Sequence, residues 1–385
     1  MAWWLARQPV AVASDDALYF VHGLDRFSVL EFSPHFPGYP GFIALGRLVK
    51  ALVGDGQAAL FITSTACALA LPPACAWTVW RWNGREDAAL TAFFITLAQP
   101  LLPDLAVNML SDSAGLLFVV LGLGLTNAPA GLAWGWALCC RPSYGVMIAA
   151  ALVFSRRDRL AMLAGFAIIS GACFGLVLAW EGWAYVDEGW RFVAGHTGQW
   201  GNTAFAPAGG PSGWARTALA HPWLLLALGG FLGRRVNKAA TGVWAASLVW
   251  TLWMQNPDNL RHAAPPLILA GMLVASGWRW PGRAMLAANT AALITLTTWS
   301  PRPAPLAEAV SRLQDQPAGI VISNYGVAVL RAALPRHRVI DAYYRADAAF
   351  AQAQAHIPVW RLLADGSPGR FAGERGLRLI RAADQ

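Results

Sequence analysis

Apolar residues in this chain run in long uncharged blocks, and clusters of charge separate the blocks. Uncharged stretches of about 13–25 residues are what bilayer-crossing helices need. They fall at Ala58–Trp80, Ala88–Leu102, Ser113–Leu125, Ala130–Phe154, Leu160–Trp180, Leu219–Leu232, Ala239–Met254, Ala263–Gly277 and Ala284–Trp299. One block carries a charge, Arg141 within Ala130–Phe154. Pro142 follows it and predicts a break, because proline disfavours helical geometry in the residue before it. Counted as two crossings, the broken block brings the total to about ten. Several blocks are short enough to require tilt or local thinning of the bilayer.

Ahead of these blocks the pattern changes. Gly41–Val53 is apolar on one side and carries Arg47 and Lys50, which predicts a helix lying on a membrane surface. The segment before it, Pro34-His35-Phe36-Pro37-Gly38-Tyr39-Pro40, cannot sit in a spanning helix, because its prolines remove donors and fix φ. From Pro301 onward apolar runs shorten and charge rises. Ile320–Ser323, Arg338–Ala342, Val359–Leu363 and Leu377–Ile380 read as strands, with helices at Tyr325–Ala333 and Ala346–Ala355. The predicted fold is mainly α: a polytopic transmembrane helix bundle over residues 58–300, an outer segment over 1–57, and a small α/β domain over 301–385. That last domain, about 85 residues, is enough for a modest core.

Composition agrees with this class. Of 385 residues 56% are hydrophobic and 13% charged, with a mean hydropathy of +0.43. A soluble domain carries about 25% charged residues, so the chain reads as an integral membrane protein. The net charge of +8 does not point to nucleic acid, because many basic residues sit in clusters between apolar blocks. Arg81 and Arg85, then Arg156, Arg157 and Arg159, then Arg234, Arg235 and Lys238, then Arg279 and Arg283 share one face. The opposite loops hold only Arg191, Arg216 and Arg261. The positive-inside rule puts the first set in the cytoplasm. It puts Asp15, Asp16, the loop Glu181–Arg216, the segment Gln255–His262 and the terminal domain outside. The five cysteines all lie in apolar runs and read as small buried hydrophobes.

The chemistry-bearing residues gather on that outer face. Asp15 and Asp16 are costly to bury as a pair. They are either solvated charges at a helix start, which Ser14 would cap, or a general base for an acceptor hydroxyl. Asp112, in Leu110-Ser111-Asp112-Ser113, is a helix cap or a partner for Arg141, and Asp104 is as open. Arg141 makes a structural ion pair with a carboxylate such as Asp112, or an anion site at a broken helix end. Asn256-Pro257-Asp258-Asn259-Leu260-Arg261-His262 is an ordinary polar loop, or supplies Arg261 or His262 to a lipid-linked phosphate. His196, among the carboxylates of the Glu181–Arg216 connection, has no spacing that supports metal ligation, and no Walker motif or CxxC occurs.

Taken in order, these features resemble the GT-C membrane glycosyltransferases that use polyprenyl-phosphate sugars, such as the protein O-mannosyltransferases and aminoarabinose transferases. Ser14-Asp15-Asp16 with Tyr19, Pro37-Gly38-Tyr39-Pro40, Ser111-Asp112, Arg141-Pro142-Ser143, Asn259-Leu260-Arg261-His262 before Pro265-Pro266, and the terminal α/β domain carry the resemblance. It implies inverting transfer of a hexose or pentose from a polyprenyl-phosphate donor, in a bacterial inner membrane, to a lipid, glycan or protein acceptor at the periplasmic face. Asp15 or Asp16 would be the base. Substrate contacts would fall to Tyr19, His35, Tyr39, Asp112, Arg141, Asn259, Arg261 and His262. No cofactor is implied. The family places a full helix before its acidic loop, where this chain has Met1–Ala13. The rival readings are a lipid or solute transporter, against which the lack of an inverted repeat counts, and an inactive protein that only binds a lipid carrier.

Overall fold

The computed structural model describes residues 1–155, 158–200, 210–233, 237–277, 279–342 and 357–381. A short turn of helix, α1 (Ala2–Leu5), leads to α2 (Asp15–Asp25). The acidic pair therefore opens a helix. Ser14 is extended, and its Oγ accepts the Ala17 N–H at 3.3 Å, while Asp15 and Asp16 sit in the first turn. Both features favour a helix start, since the orphan N–H groups and the dipole attract oxygen and negative charge there. α3 (Pro40–Val53) begins on a proline, whose fixed φ suits a first turn. Arg47 of α3 donates to the Leu24 and Gly23 carbonyls at 3.0 Å each, capping the end of α2 with a cation.

Two helices are long and apolar enough to cross a membrane, α4 (Gly56–Asn83) and α10 (Arg159–Glu181). At 1.5 Å per residue each exceeds the roughly 30 Å of a hydrocarbon core. Between them lie α5 (Glu86–Leu97), α6 (Leu102–Val107), α7 (Asp112–Gly124), α8 (Asn127–Cys140) and α9 (Gly145–Phe154). After them come α11 (Ala184–Trp200), α12 (Gly210–Ala220), α13 (Gly230–Gly233), α14 (Lys238–Met254), α15 (Ala264–Gly277) and α16 (Arg279–Leu296). α4 packs on α5 and α7, α8 on α7 and α10, and α9 on α14. α15 is buried on every side from Ala264 to Ser276, which explains why its sequence is apolar all round.

Two stretches depart from the sequence reading. Leu219–Leu232 is not one helix. α12 ends at Ala220, a 3-10 segment runs over Pro222–Gly229, and α13 follows. Pro222 breaks the α-helical ladder, and Gly230 lets the chain press against Trp244, where a Cβ would stand 2.2 Å from the indole. The described residues of the expected loop Glu181–Arg216 are largely helical, in α11 and the start of α12.

The helices alternate between two ends of the bundle. At one end Arg85 and Arg279 both pair with Asp87, and Arg81 donates to the Gly124 carbonyl at 3.4 Å. Asp112, Arg141 and Arg261 lie at the other. Arg156, Arg157, Arg234 and Arg235 fall outside the described residues.

The C-terminal region begins with α17 (Pro305–Gln314) and adds a four-stranded mixed sheet of order β2-β1-β3-β4. β1 (Ile320–Ser323) is central and runs parallel to β2 (Arg338–Asp341) and β3 (Val359–Pro368), while β4 (Arg375–Arg381) is antiparallel to β3. All four β1 residues are buried, as expected for a parallel strand covered on both faces. α18 (Val327–Ala333) joins β1 to β2. The helix expected at Ala346–Ala355 lies outside the described residues.

This domain sits on the end of the bundle that holds Asp112. The β3–β4 turn reaches α6, where a Cβ on Gly373 would stand 2.3 Å from Asp104 Oδ2. Arg370, paired with Glu374 at 2.6 Å, also donates to the Arg302 carbonyl at 3.2 Å. The Tyr325 hydroxyl donates to the Ala13 carbonyl at 3.2 Å. Near the start of the chain, the Trp4 indole donates to the Trp299 carbonyl at 3.0 Å.

Candidate functional site

The break after α8 builds the centre of the site. Its helix ends at Cys140, Arg141 is extended at φ −144° and ψ 87°, and a 3-10 turn over Pro142–Tyr144 precedes α9. As the C-cap, with its N–H still bonded to the Ala137 carbonyl, Arg141 leaves helical geometry and turns toward α7, where Nη2 meets Asp112 Oδ1 at 3.1 Å and Nη1 lies 3.4 Å from Ser111 Oγ. Gly115 makes this approach possible, because a Cβ there would stand 2.5 Å from the Arg141 Cβ. The Asp112 side chain is 3% exposed. Ser111 makes no side-chain cap, so a pairing role, not a capping one, describes this Ser-Asp.

The loop ahead of Asp112 is held firmly. Met109 adopts a left-handed φ of 57°, a strained conformation for such a residue. Asn108 Oδ1 accepts the Leu110 N–H at 3.1 Å, and Ser64 Oγ donates to the Leu110 carbonyl at 3.1 Å. The Tyr144 hydroxyl donates to the Asp112 carbonyl at 3.3 Å.

A second guanidinium enters from the 3-10 turn Leu260–Ala263. Arg261 Nη2 lies 3.5 Å from Asp16 Oδ2, and its Nε lies 3.9 Å from Asp112 Oδ2. Arg261 therefore stands between the two carboxylates. Asp16 is the open member, 40% exposed. His35 Nε2 stands 3.9 Å from Asp16 Oδ1 and 3.2 Å from the Tyr39 hydroxyl. Tyr39 holds a left-handed φ of 49° at the head of α3, and the Arg141 guanidinium lies 5.9 Å over its ring.

Burial would raise the Asp16 carboxyl, but His35, Arg261 and Arg141 outweigh it and hold Asp16 below the ordinary carboxylate range. Burial pushes the His35 imidazole down. His262 is pushed well down, by burial first and then by Arg261, Arg141 and His196. Burial lifts the Tyr39 phenol to about 12.

Among the described residues, several polar atoms here have no hydrogen-bond partner: Asp112 Oδ2, Arg141 Nε, Arg261 Nε and His35 Nδ1. Buried donors without acceptors are costly, and an incoming anion would satisfy the guanidinium pair. A narrow cleft of about 10 Å³, room for about one water molecule, opens beside them. Asp112, Arg141, Tyr144, Trp250 and His262 are among its walls. Among the described residues, no three His, Cys, Asp or Glu side chains converge as metal ligands would.

The sequence-derived candidates separate here. Asp16, His35, Tyr39, Asp112, Arg141 and Arg261 come together, and His262 lines the cleft beside them. Tyr19 lies at the edge, its ring 6.1 Å from that of His35, and its phenol is raised by burial and then by Asp15 and Asp16. Asn259 contributes backbone, its N–H bonding to the Asn256 carbonyl and its carbonyl accepting the His262 N–H at 3.1 Å each.

Asp15 faces away from the cluster. Its Oδ1 accepts the N–H groups of Ala328 at 2.9 Å and Val329 at 3.1 Å, at the first turn of α18. Burial raises the Asp15 carboxyl despite these bonds. Asp15 thus closes a helix start in the terminal domain, while its neighbour faces the guanidinium.

Tyr144, Gly115, Tyr325 and Glu181, which accepts the Val29 N–H at 2.8 Å, were not singled out from sequence as parts of this site. Gly115, one turn after Asp112, carried a local signal. Tyr325 and Glu181 act on partners remote in sequence. No protein-family profile matches the chain, and a search of curated proteins finds no match.

Proposed function

We propose that this chain is a multi-pass glycosyltransferase of a bacterial inner membrane. It moves a sugar, with inversion, from a polyprenyl-phosphate donor to an acceptor hydroxyl at the periplasmic face. The single observation that carries this reading is Arg261 held between Asp16 and Asp112 beside Arg141, with the Nε of each guanidinium lacking a hydrogen-bond partner among the described residues. Two fixed guanidiniums suit the oxygens of a phosphate, and an ionised carboxylate next to them suits proton removal.

In this reading Asp16 takes the proton of the acceptor hydroxyl. The oxygen attacks the anomeric carbon from the face opposite the lipid phosphate, and the bond from that carbon to the phosphate oxygen breaks. The phosphate leaves with the electron pair. Arg141 and Arg261 neutralise the charge that develops on it. Asp112 orients the guanidiniums, and the buried tyrosine and histidine shape the wall behind the acceptor. The arginine-rich end of the bundle is cytoplasmic, about ten crossings form the membrane domain, and the terminal α/β domain is periplasmic.

The test uses the full chain in lipid nanodiscs with a radiolabelled polyprenyl-phosphate sugar and envelope extracts as acceptor. The unsubstituted protein transfers sugar, and Asp16→Asn abolishes transfer while still binding donor. Full activity in Asp16→Asn, or transport of the donor without transfer, overturns the reading.

A further inference from the structure

We infer that α11 is a membrane-surface strut: its outward apolar face seats in the lipid interface while its inward face holds the His35–Tyr39 loop against Asp16. The helix has three sides. Facing inward, the Tyr185 hydroxyl donates to the Pro37 carbonyl at 3.3 Å, and a Cβ on Gly189 would stand 2.8 Å from the Phe36 ring. Phe192 packs 5.4 Å from Phe36 and 6.3 Å from His35, centroid to centroid. The second side is polar, with Asp187 and the Glu188–Arg191 pair.

The third side is uncovered. Trp183, Val186, Trp190 and Val193 recur at helical spacing and are all exposed, the two tryptophans at 76% and 79%. A contiguous apolar face of this kind marks an interaction surface. What covers it follows from continuity. α10, long and apolar enough to span a membrane, exposes Ile168, Leu176 and Trp180 along its outer side. Gly182, at φ +67°, turns the chain directly from that face into Trp183. The lipid that surrounds α10 therefore meets α11 at the depth where tryptophan is favoured, the boundary between hydrocarbon and water. Glu181, at the corner, accepts the Val29 N–H and ties the strut to the loop a second time.

This assignment stands on packing and exposure alone and does not depend on glycosyl transfer. The test places one nitroxide at a time on the full chain in nanodiscs, at Val193→Cys on the apolar side and Arg191→Cys on the polar side. Signal from the native cysteines is measured on the unsubstituted protein and subtracted. At Val193 the label should relax severalfold more with oxygen than with a water-soluble nickel chelate, and at Arg191 the order should reverse. Equal access to the nickel chelate at both positions overturns the seating. So does dipolar broadening at Val193, which would mean that a second copy covers the face. The coupling is read separately by hydrogen exchange of the Val29, Ser33 and Gly38 amides. Trp183→Ser with Trp190→Ser should speed that exchange severalfold without moving the amides of α4. Unchanged exchange overturns the coupling.

Discussion

Arg261 lies 3.5 Å from Asp16, Nη2 to Oδ2, and this contact joins a late loop of the bundle to the first acidic helix. Under the proposed function that guanidinium is shared between holding the base and receiving the phosphate. Arg261→Gln should therefore lower kcat by about a hundredfold, in the range seen on removing one electrostatic donor. Asp112 keeps Arg141 as a partner and Asp16, partly exposed, keeps His35 at 3.9 Å, so the thermal midpoint should move little. Arg261→Lys should recover little, since an ammonium does not reproduce the guanidinium fork. Steady-state kinetics and melting curves of the three proteins check this.

Arg141 behaves differently, because its partner is enclosed. Arg141→Met leaves the Asp112 charge, 3% exposed, with only the longer 3.9 Å contact to Arg261 and should cost about 3 kcal/mol. Arg141→Met combined with Asp112→Leu should recover most of that stability while leaving transfer abolished. Denaturant unfolding in nanodiscs reads the first effect, and the transfer assay the second. A double variant no more stable than the single one contradicts the pairing.

Asp15 and Asp16 should part ways on substitution. Asp15→Ala removes the acceptor at the start of α18 and should cost about 1 kcal/mol, the usual worth of such a bond at a helix start. The loss should show as faster hydrogen exchange at Ala328 and Val329. Asp15→Asn keeps an acceptor oxygen and should retain most of both stability and activity. Loss of all transfer in Asp15→Asn would return that residue to the catalytic step.

Asp104 should make stability depend on pH. Burial lifts its carboxyl from 3.8 to about 7, with Glu374 and Asp112 adding to the rise and Arg261 and Arg370 opposing it. Between those values the folded protein keeps a proton that the unfolded chain has released. Stability therefore falls as pH rises from about 3.8 to about 7 and is level above it. Asp104→Asn removes this penalty, so the variant should gain on the parent across that window, by no more than about 4 kcal/mol. Melting curves of both proteins at intervals from pH 5 to pH 8 test the direction. A constant gap would show that Asp104 does not titrate there.

Much of this was legible where the rule is local. Pro142 marks the break at Arg141 because its ring acts on the neighbouring residue, and Ser14 marks the start of α2 for a similar reason. β1 and β2 follow from short β-branched runs, and β3 and β4 from short apolar runs in a charged region. By contrast, Leu219–Leu232 reads as one apolar block, yet its packing against Trp244 selects a 3-10 segment and a turn of helix. α11 was hidden because its face toward the His35 loop mixes glycine, histidine and aromatics. The division of labour in Asp15–Asp16 has no local signature at all, since the partner of Asp15 lies in α18.

Trp4 bonds to Trp299, Ala13 accepts from Tyr325, and Asp15 accepts from Val329, so the beginning of the chain is stitched to its far end. Contacts of such sequence separation form late, because the intervening loop must close before they bring any gain. During synthesis the acidic helix therefore waits, held by α3 and α4, until the terminal domain has emerged and reached the same side of the bundle. Ala13 and Asp15 find their partners only at that moment. A chain halted before α18 holds the Arg141–Asp112 pair within the bundle but lacks the contacts that fix the start of α2.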